Sequence, residues 1–129
     1  MREHPDERVT DWLNAQAAET LYLSTISLAE LQLGIENLPV GKRRQTLEAA
    51  LVGQIVNLFK DRIVPFDVAA AQAYGKVVMH ARKRGHTISV ADGQIASIAV
   101  AHGLEVATRD TTPFNAAGLA VINPWVGRA

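Results

Sequence analysis

The sequence predicts one α/β domain, built on a mainly parallel sheet with helices packed against its faces. Three observations carry this. The strand segments read as short continuous apolar runs instead of alternating ones, as strands covered on both faces do. The elements fall in the order helix, strand, helix, helix, strand, helix, helix, strand, strand, so most strands are separated by helices. The chain has 129 residues, 48% of them hydrophobic, which is enough for one buried core and too few for two ordinary ones. Residues 1–129 are therefore read as a single domain.

The elements follow in turn. Pro5 suits a first helical position, Asp6 and Glu7 favour the first turn, and Val9, Trp12 and Leu13 fall three and four apart, predicting a short amphipathic helix. Leu21-Tyr22-Leu23-Ser24-Thr25 is a compact strand candidate, and the spacing of Leu28, Leu31 and Ile35 makes the next segment a helix. Leu38-Pro39-Val40-Gly41 breaks it. Leu47, Leu51, Ile55, Leu58 and Phe59 then share a stripe up to about Lys60. Arg62–Phe66 reads as a strand near an edge, because Pro65 has no amide to donate. Asp67 can cap an Ala-rich helix from Val68 to Arg84, with Tyr74, Val77, Val78 and Ala81 on one side and Gly85 ending it. A further helix opens after Ser89 and stops at Gly103. Leu104–Thr108 and Leu119–Ile122 are the last strands.

Composition excludes several classes. The chain has no cysteine, so neither a disulfide framework nor a thiolate metal site is available. Thirteen Lys and Arg balance thirteen Asp and Glu, so any nucleic-acid contact must be local. The start lacks the apolar core of a signal peptide and no run is long enough to span a bilayer, which predicts a soluble, cytoplasmic protein with no membrane partner.

In a parallel α/β sheet, groups just past the strand ends and at the starts of the following helices converge on one edge. Glu30 and Asp92 are read as lying in first helical turns, and Asp110 directly follows the Leu104 strand. Converging carboxylates repel one another unless a cation neutralises them, which points to a hard divalent ion, Mg2+ or Mn2+, and to metal-assisted phosphodiester hydrolysis. Against this, Ser27-Leu28-Ala29-Glu30 and Ser89-Val90-Ala91-Asp92 both match a capping box, and Asp110 with Thr111 and Thr112 can simply organise a turn. On spacing alone the cap is the better reading.

His4, His80, His86 and His102 are scattered, with no zinc spacing. Arg82-Lys83-Arg84 is the best local basic patch for RNA, and equally a helix end that complements the dipole; Lys42-Arg43-Arg44 comes second. Trp12, Tyr22, Tyr74 and Trp125 are not interleaved with basic residues and are assigned to packing.

Four segments together carry a resemblance: Leu21 to Leu31 with Gly34-Ile35, Ile88 to Ala96, Ala107-Thr108-Arg109-Asp110 with Phe114, and Val121 to Trp125. In this order and at these separations they resemble PIN-domain toxins of the VapC and FitB type over nearly the whole chain. The resemblance implies a PIN-like, Rossmann-like three-layer fold. It also implies an Mg2+-dependent endoribonuclease, the toxin of a type II toxin–antitoxin pair, usually a homodimer inhibited by a cognate antitoxin. Glu30, Asp92 and Asp110 then correspond to three of the family's four acidic residues, with Thr108 and Ser89 in support.

Two departures accompany it. Family members usually open with an apolar strand ending in Asp-Thr-Asn, whose aspartate is a metal ligand; here Met1 stands after that point, and Asp6 and Asp11 fall on the following helix. Pro113 replaces an acidic residue that many relatives carry. The expectation is a chain lacking its first strand, through an internal start or a degraded gene, with cleavage impaired. That strand is the middle one of the family sheet, so the Leu21 and Leu104 strands are expected to have unpaired inner edges, each unmet buried amide costing roughly 1–3 kcal/mol. Two alternatives remain: a non-catalytic antitoxin-binding or dimerisation module, and a small ligand-binding α/β domain in which the acids are only caps.

Overall fold

The computed structural model describes residues 11, 15–16, 20–124 and 127–128. The helix expected from Pro5, and both Trp12 and Trp125, lie outside the described residues apart from Asp11.

Strand β1 (Leu23–Ser24) feeds directly into α1 (Thr25–Glu36). Ser24 is extended, and its hydroxyl oxygen accepts the Ser27 amide at 2.9 Å, so Ser24 is the cap and Ser27 already lies within the helix. Helix α2 (Lys42–Ala50) continues into a π-helical stretch, Leu51–Val56. Arg44 joins α1 to α2: its guanidinium pairs with Glu36 and, at 3.3 Å, with Glu48. That arginine of the second basic patch is thereby a structural tie. Strand β2 (Ile63–Val64) runs parallel to β1, with Leu23 opposite Ile63, and Pro65 falls just beyond its end.

Helix α3 (Val68–Lys83) begins at Asp67, whose carboxylate accepts the Ala70 amide at 2.9 Å. Helix α4 (Val90–His102) begins at Ser89 in the same manner and ends at Gly103. The two pack closely at one point, where a Cβ on Gly93 would sit 3.0 Å from the Tyr74 ring. Ser97, fully buried, satisfies its hydroxyl by donating to the Gly93 carbonyl at 2.6 Å.

Strand β3 (Val106–Ala107) pairs in parallel with β4 (Val121–Asn123), and β5 (Gly127–Arg128) closes antiparallel on β4. Between β3 and β4 lies a five-residue helix, α5 (Thr112–Ala116), in a stretch whose sequence reads as a turn. Pro113 at its start and the buried Phe114 explain it: proline presets the first helical turn, and the ring has a core to enter. The main core gathers Val77 and Ala81 from α3, Ala96 and Ala99 from α4, Phe114, and Val106 and Val121 from the strands.

The predicted α/β class and parallel pairing are both present. The sheet itself is divided: among the described residues β1–β2 and β3–β4–β5 are separate, with no backbone hydrogen bond between them. The apolar runs of four or five residues yield strands of only two or three residues; among the described residues β1, β2 and β3 each pair on one side, while β4 pairs with both β3 and β5. No helix among the described residues is long and apolar enough to cross a membrane.

Candidate functional site

The strand-end rule places the sequence-derived residues unequally. Asp92 is where the reading put it, in the first turn of α4, half-buried, its amide bonded to the Ser89 hydroxyl oxygen at 3.1 Å. The reciprocal bond of a capping box, from the Ser89 amide to the Asp92 carboxylate, is not formed. The cap is Ser89's work alone, and the carboxylate is left for other use.

Glu30 requires a correction. With Ser24 as the cap, α1 starts at Thr25, so Glu30 stands in the second turn, exposed, and the first turn holds no acidic residue. The expected first-turn position fails because Ser24 and Ser27 are both competent caps, and the one next to the strand end wins. The capping-box explanation of Glu30 falls with it.

Asp110 is exposed on the loop between β3 and α5. Its amide donates to the Thr108 hydroxyl at 3.3 Å, and the Thr108 amide donates to the Ile122 carbonyl at 2.9 Å. The Asn123 side-chain amide holds the Arg109 carbonyl at 3.3 Å, so β4 fixes this loop from below. Thr108 thus supports Asp110 through backbone geometry.

Among the described residues, no three His, Asp or Glu side chains come together as a group that could hold a metal ion. Glu30, Asp92 and Asp110 offer the hard oxygen donors a divalent cation prefers, but as placed they do not form a three-ligand cage.

In the basic patch, Arg84 donates to the Asn115 carbonyl at 2.9 Å and fastens α5 to the end of α3. Arg82 reaches the Met79 sulfur at 3.7 Å, and Lys83 is exposed. One pair escaped the sequence reading: His102 at the end of α4 lies 3.0 Å from Asp67 at the start of α3. The two are far apart in the chain, and only the antiparallel pairing of the helices brings them together. The Ala70 amide, aided by His102, holds the Asp67 carboxyl below its ordinary value.

These features define an α/β domain with separate carboxylates on α1, in the first turn of α4 and just past β3, and with a basic end to α3. The PIN-domain profile matches residues 1–119, and the chain belongs to that family. VapC ribonuclease Y4jK of Sinorhizobium fredii is 48% identical over 124 residues, spanning 96% of this chain and 89% of that protein. Toxin FitB of Neisseria gonorrhoeae is 46% identical over 125 residues, spanning 97% of this chain and 90% of that one. A structure of FitAB bound to a DNA fragment superposes with a TM-score of 0.93 at 42% identity, over 99% of this chain and 90% of its counterpart.

Proposed function

We propose that this protein is a VapC-type endoribonuclease toxin, acting in the cytoplasm on RNA phosphodiester bonds and neutralised by a cognate antitoxin. The observation that carries the reading is near-half identity to a VapC ribonuclease across almost the whole chain. The likeness to a structure of FitAB supports a complex with an antitoxin, and the same proposal includes a homodimer. Asp92 is the central acidic residue, because it is half-buried at a fixed helix start with its carboxylate uncommitted. Glu30 and Asp110 complete the acidic set, Thr108 and Ser89 hold two of its members in place, and Arg82, Lys83 and Arg84 supply a local cationic contact for the RNA backbone.

Mg2+ or Mn2+ is the proposed cofactor, on family membership and donor chemistry. The absence of a three-ligand group among the described residues favours weak cleavage by this chain, and gives a second reading its footing: a non-catalytic module that still binds antitoxin.

The test is cleavage of a fluorescent RNA by the purified chain with and without added Mg2+, alongside Asp92→Asn and calorimetric titration of the metal. The nuclease reading expects Mg2+-dependent cutting that falls by at least about a hundredfold in the variant. Antitoxin binding with no cutting by either protein would replace it with the non-catalytic module.

A further inference from the structure

Charge on this chain is balanced in total and uneven in place. Between Asp67 and Asp92 the sequence carries Lys76, Arg82, Lys83 and Arg84 and no acidic residue. Most of that stretch is helix α3, which puts Ala70, Val77 and Ala81 into the interior and leaves its outer face exposed. A shallow groove runs along this outer face, lined by Gln72, Gly75, Lys76, Met79, His80 and Lys83. Gly75 sets its floor. A Cβ there would meet nothing within 4 Å, so packing within the fold does not ask for glycine, although glycine in a helix interior is destabilising relative to alanine. Met79, 44% exposed, adds an apolar surface beside it. Lys76 and Lys83 stand two turns apart, roughly 10 Å along the axis, and among the described residues neither is paired with a carboxylate.

We propose that this groove is a track for single-stranded RNA, which lies along the outer face of α3 and is led from there toward the acidic residues. RNA is chosen on the nuclease reading, on which this inference rests; the track itself is read from charge and shape. A nucleic-acid strand carries a charge at every nucleotide, so two unpaired ammonium groups on one line hold it without fixing its sequence. The Met79 thioether is a polarisable surface on which a base can lie, and Gly75 leaves room for the strand to approach the helix closely. The groove also adjoins the proposed site. At its Lys83 end, Arg84 donates to the Asn115 carbonyl of α5, and α5 starts two residues after Asp110. Lys76 therefore extends the cationic contact two turns further from the site than Arg82, Lys83 and Arg84 reach.

The probe is a fluorescein-labelled oligouridylate of about ten nucleotides, titrated into the purified full chain by fluorescence anisotropy in EDTA, so that binding is read without cutting. Titrations at several salt concentrations give the slope of log K against log salt. Lys76→Ala and Lys83→Ala are each expected to bind about three- to tenfold more weakly, with a slope smaller by about 0.7 for the ammonium removed. Lys60→Ala, which removes an exposed lysine outside α3, should keep the parental slope. Gly75→Leu, which fills the floor, should weaken binding at least about fivefold without lowering the melting temperature. No binding of the RNA, equal slopes for the parent and both α3 lysine variants, or the same loss in Lys60→Ala would overturn the proposal. Displacement of the RNA by an oligoglutamate of equal charge at equal concentration would assign the face to an acidic protein and overturn it too. Cleavage is scored separately with Mg2+. RNA held in the groove and left uncut would count against the nuclease reading while keeping the groove as an RNA surface, whereas cutting by a chain whose lysine variants bind like the parent would refute the track alone.

Discussion

Replacing Gly118 with alanine separates two physical effects at the end of α5. Gly118 has φ +86°, its amide donates to the Asn115 carbonyl, and the next amide, Leu119, reaches back to the Phe114 carbonyl. These bonds require a left-handed residue there, which costs an L side chain about 1–2 kcal/mol. The new Cβ would also lie 3.0 Å from the His80 Nε2. His80 is exposed and flexible at its tip, so the crowding should sit at the low end of the roughly 1–3 kcal/mol typical of overpacking. Alanine regains a few tenths to about 1 kcal/mol by restricting the unfolded chain. The net expectation is a loss of about 1–2 kcal/mol, or a melting temperature lower by roughly 3–10 °C for a domain of this size. Thermal unfolding followed by far-UV circular dichroism measures it. In a His80→Ala background most of the loss should persist, because the backbone term does not involve the imidazole. If Gly118→Ala melts with the parent, or if removing His80 abolishes the whole effect, the reasoning from backbone conformation is wrong.

The other predictions concern the core, the helix pair and the site. Phe114→Ala, which empties a position only 3% exposed, should cost about 3–5 kcal/mol and lower the urea midpoint without changing the slope; an unchanged midpoint would remove α5 from the core. The depressed Asp67 carboxyl contributes stability that is present above its unfolded pKa and disappears as pH falls through the folded value. Denaturation series below about pH 5 should therefore show a steeper loss for the parent than for Asp67→Asn; parallel curves would mean the cap and the His102 contact do not matter to folding. Asp92→Asn should leave the melting temperature nearly unchanged while lowering cleavage, since the cap belongs to Ser89; equal cleavage by parent and variant would remove Asp92 from the site.

Helices α3 and α4 were legible almost to the residue, because each carries its own punctuation: Asp67 and Ser89 accept amides at the starts, while Gly85 and Gly103, both with positive φ, follow the ends. Helix α1 was legible in existence but not in phase, since two serines compete for its start and only the β1–β2 pairing decides between them. Helix α5 was hidden because Thr-Thr-Pro has the composition of a turn, and a buried phenylalanine cannot be told from an exposed one without the core around it. Asp92 in the first turn of α4 and Asp110 just past β3 stand where the sequence placed them, but no local pattern encodes whether carboxylates from distant segments meet. The His102–Asp67 contact lay beyond reach for the same reason.

The Tyr74 ring seated against Gly93 behaves like a key in its slot. Sliding α4 along α3 by one turn would bring a side chain where Gly93 now offers none, so the helix pair has a single working alignment. Asp92, the immediate neighbour of Gly93, inherits that immobility and is presented to any incoming molecule from a rigid mount.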